Sequence, residues 1–417
     1  MKVIWLCNMI PGAVAEHLGR RGNGVWLDYV LEQLREQKDI SLHLFCPGGN
    51  ESGCLGQQVS FTLFSEGTPL QYRPALEEQF YQSLLAIQPD VIHIWGTEYA
   101  HTLAMVNAAE RASMGSRVVI SIQGLCSMCA RHYCEGLPEW ACRRYTLRDF
   151  VKRRNIHQQQ ERYRRRGRLE IQALEKVEHV IGRTDWDRAI TGQIRKERQY
   201  HFCNETLRPA FYQGSWQYDA CTRHRIFASS CAYPVKGFHY LLEAMPLILE
   251  RYPDATISVT GSSFFCDGLA GKLRQEYYQR YLKNLAEKHG LHNKIHFLGS
   301  LDAVQMKQAY LDANVFALPS TTENSPNSLG EAMLLGVPCV AADVGGVRNL
   351  MHPGEGYVYQ STAPYMLADA IVRVFDLQGK AAEMGQCARE RALQTHDPDK
   401  NLQDLLAAYQ AVAGKAD

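Results

Sequence analysis

Short apolar runs alternate with longer helical stretches along nearly the whole chain, and this alternation restricts the fold more than any other feature. It favours parallel sheets built from βαβ units. Candidate strands lie at residues 2–7, 41–46, 91–95, 117–122 and 179–183, and a second series at 225–229, 256–260, 294–298, 314–318 and 339–343. Between the series, residues 201–222 are aromatic and polar without clear periodicity, so a domain boundary is expected near Pro209. A chain of 417 residues is too long for one core and suits two domains of roughly 200 residues. The expected division is 1–208 and 209–399, each a doubly wound α/β domain with ligands at the C-terminal ends of its strands.

Composition narrows the function. Apolar residues at 46% and charged residues at 21% are ordinary for a globular protein. A net charge of +1 argues against a whole-molecule nucleic-acid binder. No apolar run reaches the roughly 18 residues of a membrane span, and Met1 to Trp5 reads as a strand rather than a signal peptide. Thirteen cysteines without an export signal suggest reduced thiols in a cytoplasm.

The chemistry concentrates in Glu323-Asn324-Ser325-Pro326-Asn327-Ser328-Leu329-Gly330-Glu331. A buried strand ending at Pro319 precedes it, and a helix closed by Gly336 and Pro338 follows. Glu323 therefore lies in a strand-to-helix loop and Glu331 on the helix, with seven residues between them. The helix start between them attracts anions through orphan amides and the macrodipole. Carboxylates accept hydrogen bonds from sugar hydroxyls. Two of them flanking an anion site suit a nucleotide sugar.

This stretch resembles the Glu-x7-Glu motif of glycosyltransferase family four, the retaining enzymes of the GT-B fold. Val340 to Val347 also resembles that family's next strand and its Gly-Gly turn. The likeness implies two Rossmann-like domains facing a central cleft, with a terminal helix at about 400–417 packing back on the first. It also implies that Glu331 grips the donor ribose and that Glu323 orients the donor sugar. Pro326 has no N–H, so the anion donors are expected to be the amides of Asn327, Ser328 and Leu329. The segment Ser229 to Phe238 resembles the family's Gly-Arg-Leu-x-x-x-Lys-Gly loop, in which an Arg and a Lys neutralise the diphosphate. Lys236 matches, but Cys231 occupies the Arg position and Ser230 the Gly position. Arg183 or Arg223 is a candidate replacement. Gly22 and Gly24 match the family's glycine pair, where close backbone approach to phosphate is needed.

Glu98, His101 and Gln123 follow strands of the first series and are candidates for the acceptor side. Gln123 stands where many relatives have histidine, and it cannot shuttle a proton at neutral pH. Cys126, Cys129, Cys134 and Cys142 fall within 17 residues, yet lack a matched second Cys-x-x-Cys, so unligated thiols are favoured over zinc. From Arg143 to Arg168 there are 11 Lys or Arg against Asp149 and Glu161, which suggests an anionic membrane surface or an acidic acceptor. The resemblance implies a metal-independent retaining transfer of a hexose, from a UDP-sugar by default, to a glycan or lipid-linked hydroxyl. No cofactor and no nucleic-acid partner are expected. The location expected is cytoplasmic, peripheral at the inner face of a membrane. Two other readings stand beside it: a nucleotide-sugar-binding scaffold whose catalysis has decayed, and a nucleotide-sugar epimerase.

Overall fold

The computed structural model describes residues 1–20, 26–65, 67, 70–265 and 268–414. Residue contacts divide the chain into two compact units, one of Met1–Met128, Arg162–Arg208 and His396–Asp417, the other of Cys129–Glu161 and Pro209–Thr395. The segment 129–161, which the sequence placed in the first domain, groups with the second. Polar anchors to distant backbone account for this. The Asp149 carboxylate accepts the Tyr277 amide at 2.8 Å, Thr321 donates its hydroxyl to the His132 carbonyl at 3.1 Å, and His239 Nε2 lies 3.2 Å from the Glu135 carbonyl.

The first unit holds strands β1 (Lys2–Leu6), β2 (Ser41–Pro47), β3 (Ser52–Cys54), β4 (Val59–Phe64), β5 (Val91–Trp95), β6 (Val118–Ser121), β7 (His179–Gly182) and β8 (Gln199–Phe202). Their order is β3-β4-β2-β1-β5-β6-β7-β8, and only β3 runs antiparallel to its neighbour. β5, β6 and β7 are buried along their whole length, as expected of strands covered on both faces. The chain winds outward from β1 through β2 and returns to β5, so the crevice of this sheet opens at the C-terminal ends of β1 and β5. The helix Pro398–Ala413 packs in this same unit. Its Tyr409 hydroxyl accepts from Trp5 Nε1 at 2.8 Å and lies 2.7 Å from His93 Nδ1.

The second unit holds β9 (Arg225–Ala228), β10 (Thr256–Val259), β11 (Ile295–Phe297), β12 (Val315–Leu318), β13 (Cys339–Ala342) and β14 (Tyr357–Tyr359). Their order is β11-β10-β9-β12-β13-β14, all parallel. That is the doubly wound order of dinucleotide-binding sheets, with its switch point between β9 and β12.

Candidate active site

Two loops leave the switch point of the second unit side by side, one after β9 and one after β12. They are locked together through their backbones. The Thr321 amide donates to the Val235 carbonyl at 2.8 Å. Gly237, at φ +64°, sits so close that a Cβ there would lie 1.8 Å from the Pro319 carbonyl oxygen. Only glycine meets both demands. A third loop, after β13, closes over the second: Gly346 donates its amide to the Glu323 carbonyl at 3.2 Å, and a Cβ on Gly345 would lie 1.7 Å from that oxygen.

This backbone frame brings Lys236 and Glu323 together, with Nζ 2.7 Å from Oε1. Ser320 Oγ donates to the same oxygen at 2.8 Å. Burial works against the Lys236 charge, but Glu323 and the Tyr233 side chain outweigh it and lift the ammonium above the ordinary lysine value. Lys236 is therefore a fixed cation at neutral pH. At Cys231 the contrast is complete. Burial pushes its thiol up to about 11, so this position, matched to an arginine by the resemblance, is uncharged. Neither candidate replacement supplies the charge within this unit. Arg223 precedes β9, at the strand end away from the Lys236 loop, and it stacks on Tyr218 while pairing with Asp219 at 3.1 Å. Arg183 belongs to the first unit and pairs with Glu205 at 2.6 Å.

The helix Asn327–Leu334 begins directly after Pro326. One expectation is corrected here. The Leu329 amide donates to the Pro326 carbonyl at 2.9 Å and is already satisfied, because proline's carbonyl closes the first turn. Among the described residues, the amides of Asn327 and Ser328 have no such backbone acceptor, so they are the donors left at the positive end of the helix. Glu331 lies one turn further and is only 5% exposed. Tyr310, from the helix Ala303–Leu311, places its hydroxyl 3.4 Å from Glu331 Oε2 and donates to the Ser328 carbonyl at 2.9 Å.

In the first unit, Glu98 and His101 do come together at the crevice, through a residue the sequence did not single out. Asn8, just past β1, donates to Glu98 Oε2 at 2.7 Å and holds His101 Nε2 at 2.8 Å. Burial pushes the Glu98 carboxyl up to about 7, the charge of nearby Glu170 adds to this, and Arg166 offsets part of it. His101 is 3% exposed, and burial lowers it to about 3. It is neutral and turned into the core against Phe64, so it holds Asn8 rather than meeting a ligand. Gln123 belongs to a different cluster, donating to Glu205 at 2.5 Å and accepting from Arg183 at 3.1 Å. Glu170, also missed, accepts from Thr97, the Ser127 hydroxyl and the amides of Cys126 and Ser127, all within 3.0 Å. Gly22 and Gly24 lie outside the described residues. Among the described residues no three His, Cys, Asp or Glu side chains converge as metal ligands would.

Two doubly wound α/β units are the GT-B architecture, and solved structures share this fold. Sucrose-phosphate synthase from Thermosynechococcus elongatus superposes with a TM-score of 0.70 at 16% identity, over 99% of this chain and 98% of its own. The Anabaena protein HepE, solved in complex with UDP-glucose, gives 0.68 at 18% identity, over 99% of this chain and all of its own. Residues 222–391 match the family described as glycosyl transferases group 1. A D-inositol 3-phosphate glycosyltransferase of Corynebacterium urealyticum is 30% identical over 38% of this chain. The match spans 36% of that relative's length.

Proposed function

We propose that the protein transfers a hexose from a nucleoside-diphosphate sugar, with UDP as the carrier, to a hydroxyl of a glycan or lipid-linked acceptor. The observation that carries this reading is the convergence of Lys236, Glu323 and the open Asn327 and Ser328 amides at one switch point. A fixed cation and a helix start suit a diphosphate, and a carboxylate suits hydroxyls. In the unliganded protein Glu323 neutralises Lys236. A diphosphate would take over the ammonium and free Glu323 for the sugar.

The transfer would retain configuration. The bond from the anomeric carbon to the diphosphate oxygen breaks, the acceptor oxygen bonds on the same face, and its proton passes to the departing diphosphate. Lys236 and the helix amides stabilise the charge that develops on that oxygen. No metal enters this scheme.

The neutral thiol at Cys231 favours a second reading, a nucleotide-sugar binder with little turnover. Incubating the protein with UDP-sugars and following the anomeric proton by NMR separates the two. Transfer or slow hydrolysis that releases the original anomer is expected, and Lys236→Ala should lower the rate by about 10²–10³-fold. Binding without turnover would support the binder, and an inverted anomer would overturn the retaining scheme.

A further inference from the structure

We infer that the face built by residues 140–153 docks on an anionic lipid surface. The short helix Leu147–Lys152 is amphipathic in the reverse of the usual sense. Leu147, Phe150 and Val151, spaced i, i+3 and i+4 on one side, are 60%, 66% and 73% exposed. The side turned into the protein is polar. Asp149 is 1% exposed. It forms a reciprocal capping box with Thr146, and its carboxylate also accepts the Tyr277 amide at 2.8 Å. Arg148 is tied to Glu276 at 3.3 Å and to the Arg274 carbonyl.

A surface helix normally hides its apolar stripe. This one is held with that stripe outward by polar anchors, and rotation would strip the buried Tyr277 amide of its acceptor. Trp140 and Tyr145 extend the exposed apolar area at 54% and 57% exposure. Aromatic side chains of this kind favour the headgroup level of a bilayer.

Charge decides what covers the face. Arg144, Lys152 and Arg153 are exposed around it, with Arg144 over the Trp140 ring at 5.4 Å. The acids on the segment are spent: Glu139 pairs with Arg143 at 2.6 Å, and Asp149 is buried. Apolar side chains ringed by cations match a surface with an apolar interior and anionic headgroups. Not all of the basic run contributes. Arg166 stacks on Tyr99 and donates to the Glu98 carbonyl at 2.5 Å.

The inference does not rest on the transfer reading. Flotation of the full chain with phosphatidylcholine vesicles, with and without phosphatidylglycerol, tests it. Binding is expected only to the anionic vesicles and should weaken with salt. The variant Arg144→Ala/Lys152→Ala/Arg153→Ala should bind about a hundredfold more weakly, roughly fivefold per charge. Leu147→Ser/Phe150→Ser/Val151→Ser should lose more than about tenfold while UDP binding and thermal unfolding stay unchanged. Equal binding to neutral vesicles, or unchanged binding by either variant, would overturn the inference. So would self-association that the apolar variant abolishes, since the face would then belong to a second copy of the chain.

Discussion

Lys236 and Cys231 stand on the same loop, and the difference between them shapes the donor site. The ammonium is held charged by Glu323, while the thiol is held neutral by burial. On the proposed donor side this loop therefore contributes the Lys236 ammonium and no charge at Cys231. Glu98 shows the opposite use of burial. Its carboxyl titrates at about 7 in the folded chain against 4.5 for an ordinary glutamate. Between those values the unfolded chain gives up the proton and the native state keeps it, so stability falls as pH rises through the window. Glu98→Gln should flatten that slope, measured as the unfolding midpoint of both proteins from pH 4.5 to 7. Parallel profiles would remove Glu98 as the cause. Residues such as Lys236 and Glu323 were legible because a local motif carries them. Asn8, Tyr310 and Glu170 were not, because each acquires its role from a partner across the fold. The Asn8 partner Glu98, for instance, is 90 residues away. Nor does a histidine after a strand end show that it will be buried against Phe64.

At the level of elements, the central strands announce themselves as continuous apolar runs, whereas of the edge strands only β11 was anticipated. β8 is Gln-Tyr-His-Phe at a sheet edge, and β3 and β14 have three residues each. β4 alternates buried and half-buried positions, yet it was not among the strands anticipated from the sequence. The helix Asn327–Leu334 was legible from Pro326 and the apolar run after it, but the closing of its first turn onto Pro326 was not. The terminal helix sets the Tyr409 hydroxyl inside an apolar seam of Leu405, Ala408 and Val412. Tyr409→Phe would leave Trp5 Nε1 and His93 Nδ1 buried without their shared partner. That should cost about 1–3 kcal/mol, read from the denaturation midpoint. An unchanged midpoint would mean that the apolar contacts alone seat the helix.

For the whole molecule, the alternation of strands and helices was sufficient to anticipate two doubly wound sheets. It could not reveal that residues 129–161 group with the second, because the capping and backbone contacts that draw them there leave no periodic trace. Consequently the reversed helix Leu147–Lys152 and the donor loops belong to one unit. The account as a whole depends on the switch point between β9 and β12 holding a nucleoside diphosphate through Lys236. Titration calorimetry with UDP, on the full chain and on Lys236→Ala, tests this most directly. We expect saturable one-to-one binding that the substitution weakens by at least about tenfold, the loss of one charge-assisted contact. Equal affinity in the two proteins, or no binding in either, would contradict it.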